Sequence, residues 1–335
     1  MDSATRFELI KKDTAEITTE DELKTLLRNK KSPVSYWGVA PTGPPHIGYY
    51  RAISKQMDLI EAGFKHKILI ANIHAYLDDM KAPWEEIKAR GEIYKKCFEL
   101  LGLKGNNVEY VLGSDFQAKP DYQMKLYQSL PLVTVERATR AASEVCRMTN
   151  PKVSSLVYPL MQSLDCWGLE VDIAYGGIDQ RHVYMLTRDL LPKLGLKAPS
   201  LIFTPLGMGL SGKGKMSASQ KASRLELFAK PEDIHDKINS AFCPEGVIDE
   251  NPVLEYAKYL TFPRISKFQI SRPQKFGGDI TVNSYEALAE LFAKKGVHPM
   301  DLKNAVATYL VDILKPVRDY FTRNSDLLKI YKKEL

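Results

Sequence analysis

The segment Lys67-Ile68-Leu69-Ile70-Ala71-Asn72-Ile73 limits what this chain can fold into more than any other. An almost continuous apolar run of this length suits a strand buried on both faces, and such strands sit in parallel sheets covered by helices on both sides. The surrounding pattern agrees. Residues 34–40 read as a strand, and 47–62 as a helix with Ile53, Met57 and Ile60 on its buried face and Gly63 at its C-terminal cap. A helix over 83–101 and a strand over 108–112 follow. Further on come a strand at 171–175, a helix at 181–194 and a strand at 201–204. Near the start, Thr19 and Glu22 have capping-box spacing ahead of Leu23, Leu26 and Leu27. Alternating strands and helices predict an α/β fold built on a doubly wound parallel sheet.

Residues 121–147 break the alternation with a helical pattern interrupted by Pro131 and read as an insertion between two halves of the sheet. Beyond residue 230 the pattern becomes mainly helical, at 232–241, 251–260, 284–295 and 299–321. That shift predicts a catalytic-type α/β domain over 1–230 and a second, α-helical domain over 231–335. The net charge is +6. Residues 231–335 carry 15 Lys and Arg against 15 Asp and Glu, so the surplus lies entirely in 1–230, at 32 against 26. Nucleic-acid contacts in the helical region therefore depend on placed residues and not on bulk charge. Cys97, Cys146, Cys166 and Cys243 are widely spaced with no CxxC pair, which predicts reduced core thiols and no metal site. No apolar run reaches membrane-spanning length, and the N-terminus has no signal-peptide core, so a cytoplasmic location is expected. The terminal Lys333-Glu334-Leu335 reads as a solvated helix end.

Three groups of residues carry chemistry. Pro41-Thr42-Gly43-Pro44-Pro45-His46-Ile47-Gly48-Tyr49 falls at a strand-to-helix turn. Amides at a helix N-terminus attract phosphate, Gly43 and Gly48 permit close approach, and His46 can donate to a phosphate oxygen. Taken by itself the segment also admits the reading of a proline-stiffened turn with an incidental histidine, the less favoured of the two. Gly207-Met208-Gly209-Leu210-Ser211-Gly212 matches G-x-G-x-x-G but lacks a helix start and an acidic residue about 20 positions on. A Walker A reading fails because Gly212-Lys213 is followed by Gly214. What remains is a basic loop with Lys213, Lys215, Met216, Ser217 and Ser219, able to close over a triphosphate. The third group is Tyr158, Gln162 and Asp165. With Pro159 opening a helix, these lie on one face at i, i+4 and i+7. Gln and Asp are poor core residues unless paired, so the stripe suggests a pocket for a polar ligand. Gly176-Gly177-Ile178-Asp179-Gln180 follows a strand end, where open α/β sheets bind ligands. Tyr36 in its strand and His74 after the next are packing residues by default.

The first of these segments, Pro41 to Tyr49, and Lys215-Met216-Ser217-Ala218-Ser219 in the basic loop resemble the HIGH and KMSKS signatures of class I aminoacyl-tRNA synthetases. Further stretches extend the likeness over nearly the whole chain: Trp37 to Gly43, His74 to Asp78, Met80 to Trp84, Gly176 to Arg181, Ala241 to Cys243 and His298 to Asn304. Together they resemble tyrosyl-tRNA synthetases of the archaeal and eukaryotic cytosolic branch. The resemblance implies a Rossmann-like catalytic domain and an anticodon-binding domain. It implies formation of tyrosyl-adenylate from L-tyrosine and ATP with Mg²⁺, and transfer of the tyrosyl group to the 3′ end of tRNA(Tyr). No prosthetic group and no protein-held metal are implied. By the same likeness His46 and Lys215 stabilise the transferring phosphate. ATP is held by Gly43, His46, Gly48, Gly177, Asp179, Lys215, Met216, Ser217 and Ser219. Tyr36 and Asp165 read the phenol hydroxyl, Tyr158, Gln162 and Gln180 hold the α-amino end, and His74 lines the pocket. Residues about 121–165 support homodimerisation and acceptor-stem contact. Arg181 lies near the first acceptor pair, and Phe276, His298 and Asp301 form the anticodon pocket. Tyr49, Ala218 and Asn72 depart from the usual pattern, Asn72 leaving the charge beside the amino-group site open. A tryptophanyl synthetase disagrees with Tyr36 and Asp165. A binding-only paralogue disagrees with His46 and Lys215, and a small-molecule adenylyltransferase leaves residues 231–335 unexplained.

Overall fold

Five parallel strands and one antiparallel edge strand form the central sheet of the computed structural model, which describes residues 1–78, 80–146, 148–212 and 224–335. The strands are β1 (Glu16–Thr18), β2 (Val34–Val39), β3 (Lys65–Ile70), β4 (Val108–Leu112), β5 (Ile173–Gly177) and β6 (Ser200–Thr204). Their spatial order is β1-β6-β5-β2-β3-β4, with β1 antiparallel to β6. From β2 the chain steps outward through β3 to β4, then returns to the other side of β2 for β5 and β6. The direction of winding therefore reverses between β2 and β5, where Tyr36 stands opposite Ala174. Such a reversal opens a crevice at the carboxyl ends of the strands.

The chain divides into two compact units, Met1–Gly43 with Lys55–Leu206, and Pro44–Ser54 with Gly207–Leu335. The first contains the whole six-stranded sheet. Ile68, Ile173, Leu201, Ile202 and Phe203 are fully buried, as the apolar runs require. One face of its core joins Tyr36, Leu69 and Phe203 of the sheet to Leu160, Leu164, Tyr184 and Leu190 of two helices, Val153–Gly168 and Arg181–Lys193. Thr19 caps the helix Glu20–Asn29, its Oγ1 accepting from Glu22 N–H at 3.2 Å, and Gly63 takes the positive φ of +85° that its cap needs.

Two local expectations fail for tertiary reasons. The strand expected through Ile73 stops at Ile70, and Asn72–Leu77 is a helix. Asn72 is wholly buried; its Oδ1 accepts from Ser114 N–H at 2.9 Å and its Nδ2 donates to Ser114 Oγ at 3.0 Å, which turns the chain there. Pro159 does not open its helix but lies inside Val153–Gly168. The missing N–H costs one intrahelical bond. Burial of Ser155, Leu160, Met161 and Leu164 on either side of it holds the helix together.

The second unit is mainly helical: Pro231–Ser240, Pro252–Tyr256, Tyr285–Ala293 and the 25-residue Pro299–Arg323. The helix expected over 251–260 loosens into a π-helical stretch, Ala257–Thr261. A short antiparallel pair, β7 (Phe268–Ile270) and β8 (Ile280–Val282), was not legible, since three residues are too few for an alternating pattern.

Candidate active site

Tyr36, His74, Tyr158, Gln162, Asp165 and Gln180 line one cavity of about 40 Å³ in the first unit, with Gly38, Ala40, Leu69 and Ala71 completing the wall. β2 supplies Tyr36, the helix after β3 supplies His74, and the turn Ile178–Gln180 after β5 supplies Gln180. Tyr158, Gln162 and Asp165 come from one face of Val153–Gly168. The cavity thus occupies the winding reversal between β2 and β5.

Its polar end is built around Asp165, which is 1% exposed. Oδ1 accepts from Gln117 Nε2 and from the Tyr122 hydroxyl, both at 2.8 Å. The second amide hydrogen of Gln117 points at His74 Nδ1, 3.3 Å away, which leaves the imidazole proton on Nε2. His74 Nε2 and Asp165 Oδ2 are 3.7 Å apart, too far for a hydrogen bond, and among the described residues neither has a partner. A hydroxyl group set between them can accept from one and donate to the other. Burial pushes the Asp165 carboxyl up to about 7, against the opposing hydrogen bonds from Gln117 and Tyr122. Burial also holds His74 down to about 4. Beside them the Tyr184 hydroxyl donates to Tyr36 Oη at 2.9 Å, and Cys166 Sγ lies 3.8 Å from the same oxygen. At the other end Gln162 Nε2 donates to Gln180 Oε1 at 3.1 Å.

Sequence reasoning missed Gln117, Tyr122 and Tyr184. Tyr184 stands four residues after Gln180, a spacing that places both on one helical face. Gln117 ends the four-residue helix Ser114–Gln117, too short for any periodic signal. Asn72 bonds to Ser114 and does not line the cavity.

A stability test follows from the raised carboxyl. Unfolded, Asp165 loses its proton near pH 3.9; folded, near 7. Between those values the folded chain holds the extra proton, so stability falls as pH rises through that window and is level above it. In Asp165→Asn that slope is absent. Thermal unfolding without ligand is expected to show the Asn variant gaining on wild type from pH 4.5 to 7.5; a pH-independent difference contradicts the raised carboxyl.

The residues expected at the nucleotide fall in both units. In the first, Gly43 accepts from the Tyr94 hydroxyl at 2.9 Å, and Gly177 closes β5 with Asp179 in the following turn. A Cβ at Gly177 would come 2.7 Å from Asp179 Oδ1, so only glycine leaves that carboxylate in place. In the second, His46 is the N-cap of the turn Ile47–Tyr49, its Nδ1 accepting from Gly48 N–H at 3.2 Å. The imidazole proton is therefore on Nε2. Burial first, then Arg224, holds His46 down to about 3, so the ring is neutral. Tyr49 stacks on it, ring centroids 4.6 Å apart, which gives that departure a packing role. Lys215, Met216, Ser217 and Ser219, like Ala218 and Lys213, lie outside the described residues.

The residues expected to meet RNA are spread over both units. Arg181 donates to both Glu16 oxygens and, with Arg137, Arg140 and His182, lines a 410 Å³ recess. Phe276 is 59% exposed, with the Lys275 ammonium 4.9 Å from its ring centroid. His298 caps the helix Pro299–Arg323 through Met300 N–H at 3.2 Å, and Asp301 lies in that helix's first turn. Among the described residues no three His, Cys, Asp or Glu side chains converge as a metal cage. No described helix is long and apolar enough to cross a membrane.

A doubly wound parallel sheet with a polar cavity at its winding reversal is the architecture of a Rossmann-like ligand-binding fold. Residues 28–315 match the tRNA synthetases class I (W and Y), and the chain belongs to that family. A tyrosine–tRNA ligase of Haloarcula marismortui is 42% identical over 98% of this chain and 97% of its own length. That of Methanocaldococcus jannaschii is 46% identical over 93% and 98%. The crystal structure of a tyrosyl-tRNA synthetase from Archaeoglobus fulgidus, complexed with L-tyrosine, superposes with a TM-score of 0.90 at 43% identity, covering 95% of this chain and 99% of that one.

Proposed function

We infer that this chain is a tyrosine–tRNA ligase acting on L-tyrosine, ATP and tRNA. The observation that carries the reading is the pair of polar atoms without a partner among the described residues, Asp165 Oδ2 and His74 Nε2, in the cavity that Tyr36 also lines. A phenol hydroxyl answers both atoms, and an indole N–H can only donate. In the first step a tyrosine carboxylate oxygen attacks the α-phosphorus of ATP. The bond to the β-phosphate oxygen breaks, and pyrophosphate leaves. In the second a ribose hydroxyl at the tRNA 3′ end attacks the tyrosyl carbonyl and AMP leaves. Catalysis here is positioning and charge stabilisation. Tyr36 and Asp165 fix the phenol, while Tyr158, Gln162 and Gln180 hold the amino end. His46 offers Nε2–H to the reacting phosphate, and Lys215 adds a cation. Gly43, Gly48, Gly177 and Asp179 accommodate the nucleotide, and Met216, Ser217 and Ser219 are assigned to ATP by the family resemblance alone. ATP enters as its magnesium complex, the ion held mainly by phosphate oxygens. The test is tyrosine-dependent ATP–pyrophosphate exchange, run beside phenylalanine and tryptophan. Exchange with tryptophan alone, or with none of the three, overturns the reading.

We further propose that residues 231–335 bind the anticodon and 1–230 carry the chemistry, in the cytoplasm. Phe276 stacks on a base while Asp301 and His298 read its edge. Phe276→Ala is expected to cut aminoacylation about 5- to 150-fold, matching ~1–3 kcal/mol per stacked base. Pyrophosphate exchange stays at the wild-type rate. The insertion exposes Met124, Tyr127, Leu130, Leu132 and Val135, the last at 70%, an apolar surface suited to a homodimer. Sedimentation of Val135→Glu is expected to give monomers where wild type gives dimers. Arg181, released from Glu16, is then placed to contact the acceptor end.

A further inference from the structure

Within the second unit, described residues on either side of the 213–223 segment are held against the first motif. After that segment, Ile47 N–H donates to Leu225 O at 2.8 Å and Leu227 N–H to Pro45 O at 3.0 Å, with His46 bridged antiparallel to Glu226. Before it, Met208 N–H donates to the Tyr50 hydroxyl oxygen at 2.9 Å and lies 3.4 Å from Glu255 Oε2. Gly207 packs so closely there that a Cβ would come 3.0 Å from the Tyr50 ring and 3.1 Å from Gly48 O. The second of these anchors runs through a single side chain. The Tyr50 hydroxyl donates to Glu255 Oε2, and Arg51 Nη2 donates to Glu255 Oε1 at 2.6 Å. Arg51 also donates to the Tyr259 hydroxyl at 3.0 Å and lies 4.4 Å from that ring's centroid. Tyr50 is fully buried, and the Arg51 and Glu255 side chains are mostly so, at 13% and 18% exposure.

We propose that Glu255, on the helix Pro252–Tyr256, is a positioning residue for the adenylation step: through Tyr50 and Arg51 it fixes the entry of the second-motif loop on the first-motif turn. The geometry demands a carboxylate. One oxygen serves Tyr50 and Met208 while the other holds a guanidinium, and a glutamine has only one accepting oxygen for both tasks. Glu255 belongs to the helical region after residue 231, so that region reaches Met208 and the first-motif turn through this side chain. Every residue lining the tyrosine cavity belongs to the other unit, and the Glu255 carboxylate bonds instead to Tyr50, Arg51 and Met208.

The inference rests on the ligase reading, and wild-type exchange with tyrosine tests that reading separately. Steady-state exchange is measured for wild type, Glu255→Gln and Tyr50→Phe, with tyrosine affinity taken from calorimetry and folding from thermal unfolding. Both variants are expected to lose about 10- to 100-fold in kcat/KM for ATP, the scale of a catalytic group misplaced by ~1 Å. Tyrosine affinity is expected to remain within twofold of wild type. Tyr50→Phe keeps the buried ring and removes only the hydroxyl, so it serves if Glu255→Gln fails to fold. ATP kinetics like wild type in a folded variant, or equal losses toward tyrosine and ATP, overturn the proposal. Absence of exchange in wild type instead overturns the ligase reading.

Discussion

Asp165→Ala is expected to lower tyrosine-dependent exchange by ~10³-fold or more while changing phenylalanine-dependent exchange less than tenfold. Asp165 Oδ2 and His74 Nε2 are buried without partners among the described residues, and Tyr36 lines the same cavity. A substrate hydroxyl relieves that cost, whereas phenylalanine leaves it in place. Tyrosyl synthetases as a class reject phenylalanine by about 10⁵, and that magnitude is taken from the class and not from this geometry. Removing the carboxylate removes the penalty for phenylalanine along with the reward for tyrosine, so discrimination collapses from both sides. Competition between the two amino acids in one exchange assay reads it directly. Retained preference above ~10⁴ in the Ala variant assigns selectivity elsewhere, with Tyr36 and Gln117 next to test.

His46→Ala is expected to lower kcat for exchange by ~10²–10³, the usual cost of losing one preorganised donor to developing charge. Tyrosine KM is expected to be unchanged, since none of the cavity residues is touched. The pH dependence separates two versions of this role. Burial and the neighbouring Arg224 hold His46 near 3 in the free enzyme, so it is neutral from pH 6 to 8 and donates through Nε2. The kcat/KM for ATP reports the free enzyme. It is expected to show no inflection near pH 6.5 that disappears in the variant. An activity that declines above pH 6.5 and requires His46 would mean an imidazolium donor, contrary to the buried environment seen here.

The same residues show how far sequence reaches. Buried strand runs such as 67–70, and caps such as Thr19 that mark where helices start, made the doubly wound class legible because hydrophobic burial and capping are local signals. The stripe Tyr158, Gln162 and Asp165 was visible as a polar anomaly on one helical face, even with the helix start misplaced at Pro159. Gln117 was invisible: its importance comes from a 2.8 Å contact across 48 residues, and nothing near it in the chain encodes that. Tyr50 and Glu255, 205 residues apart, are a second case.

What the amino-acid order determined by itself was the fold class, the two motif segments and the chemical type of the candidate ligand groups, because each is written in neighbours within a turn or two of chain. Only the tertiary structure decided how those groups are poised. It put the proton of His46 and of His74 on Nε2, raised the Asp165 carboxyl and tied Asn72 to Ser114. Desolvation and long-range hydrogen bonding set those properties, and both depend on which distant segments close over a side chain.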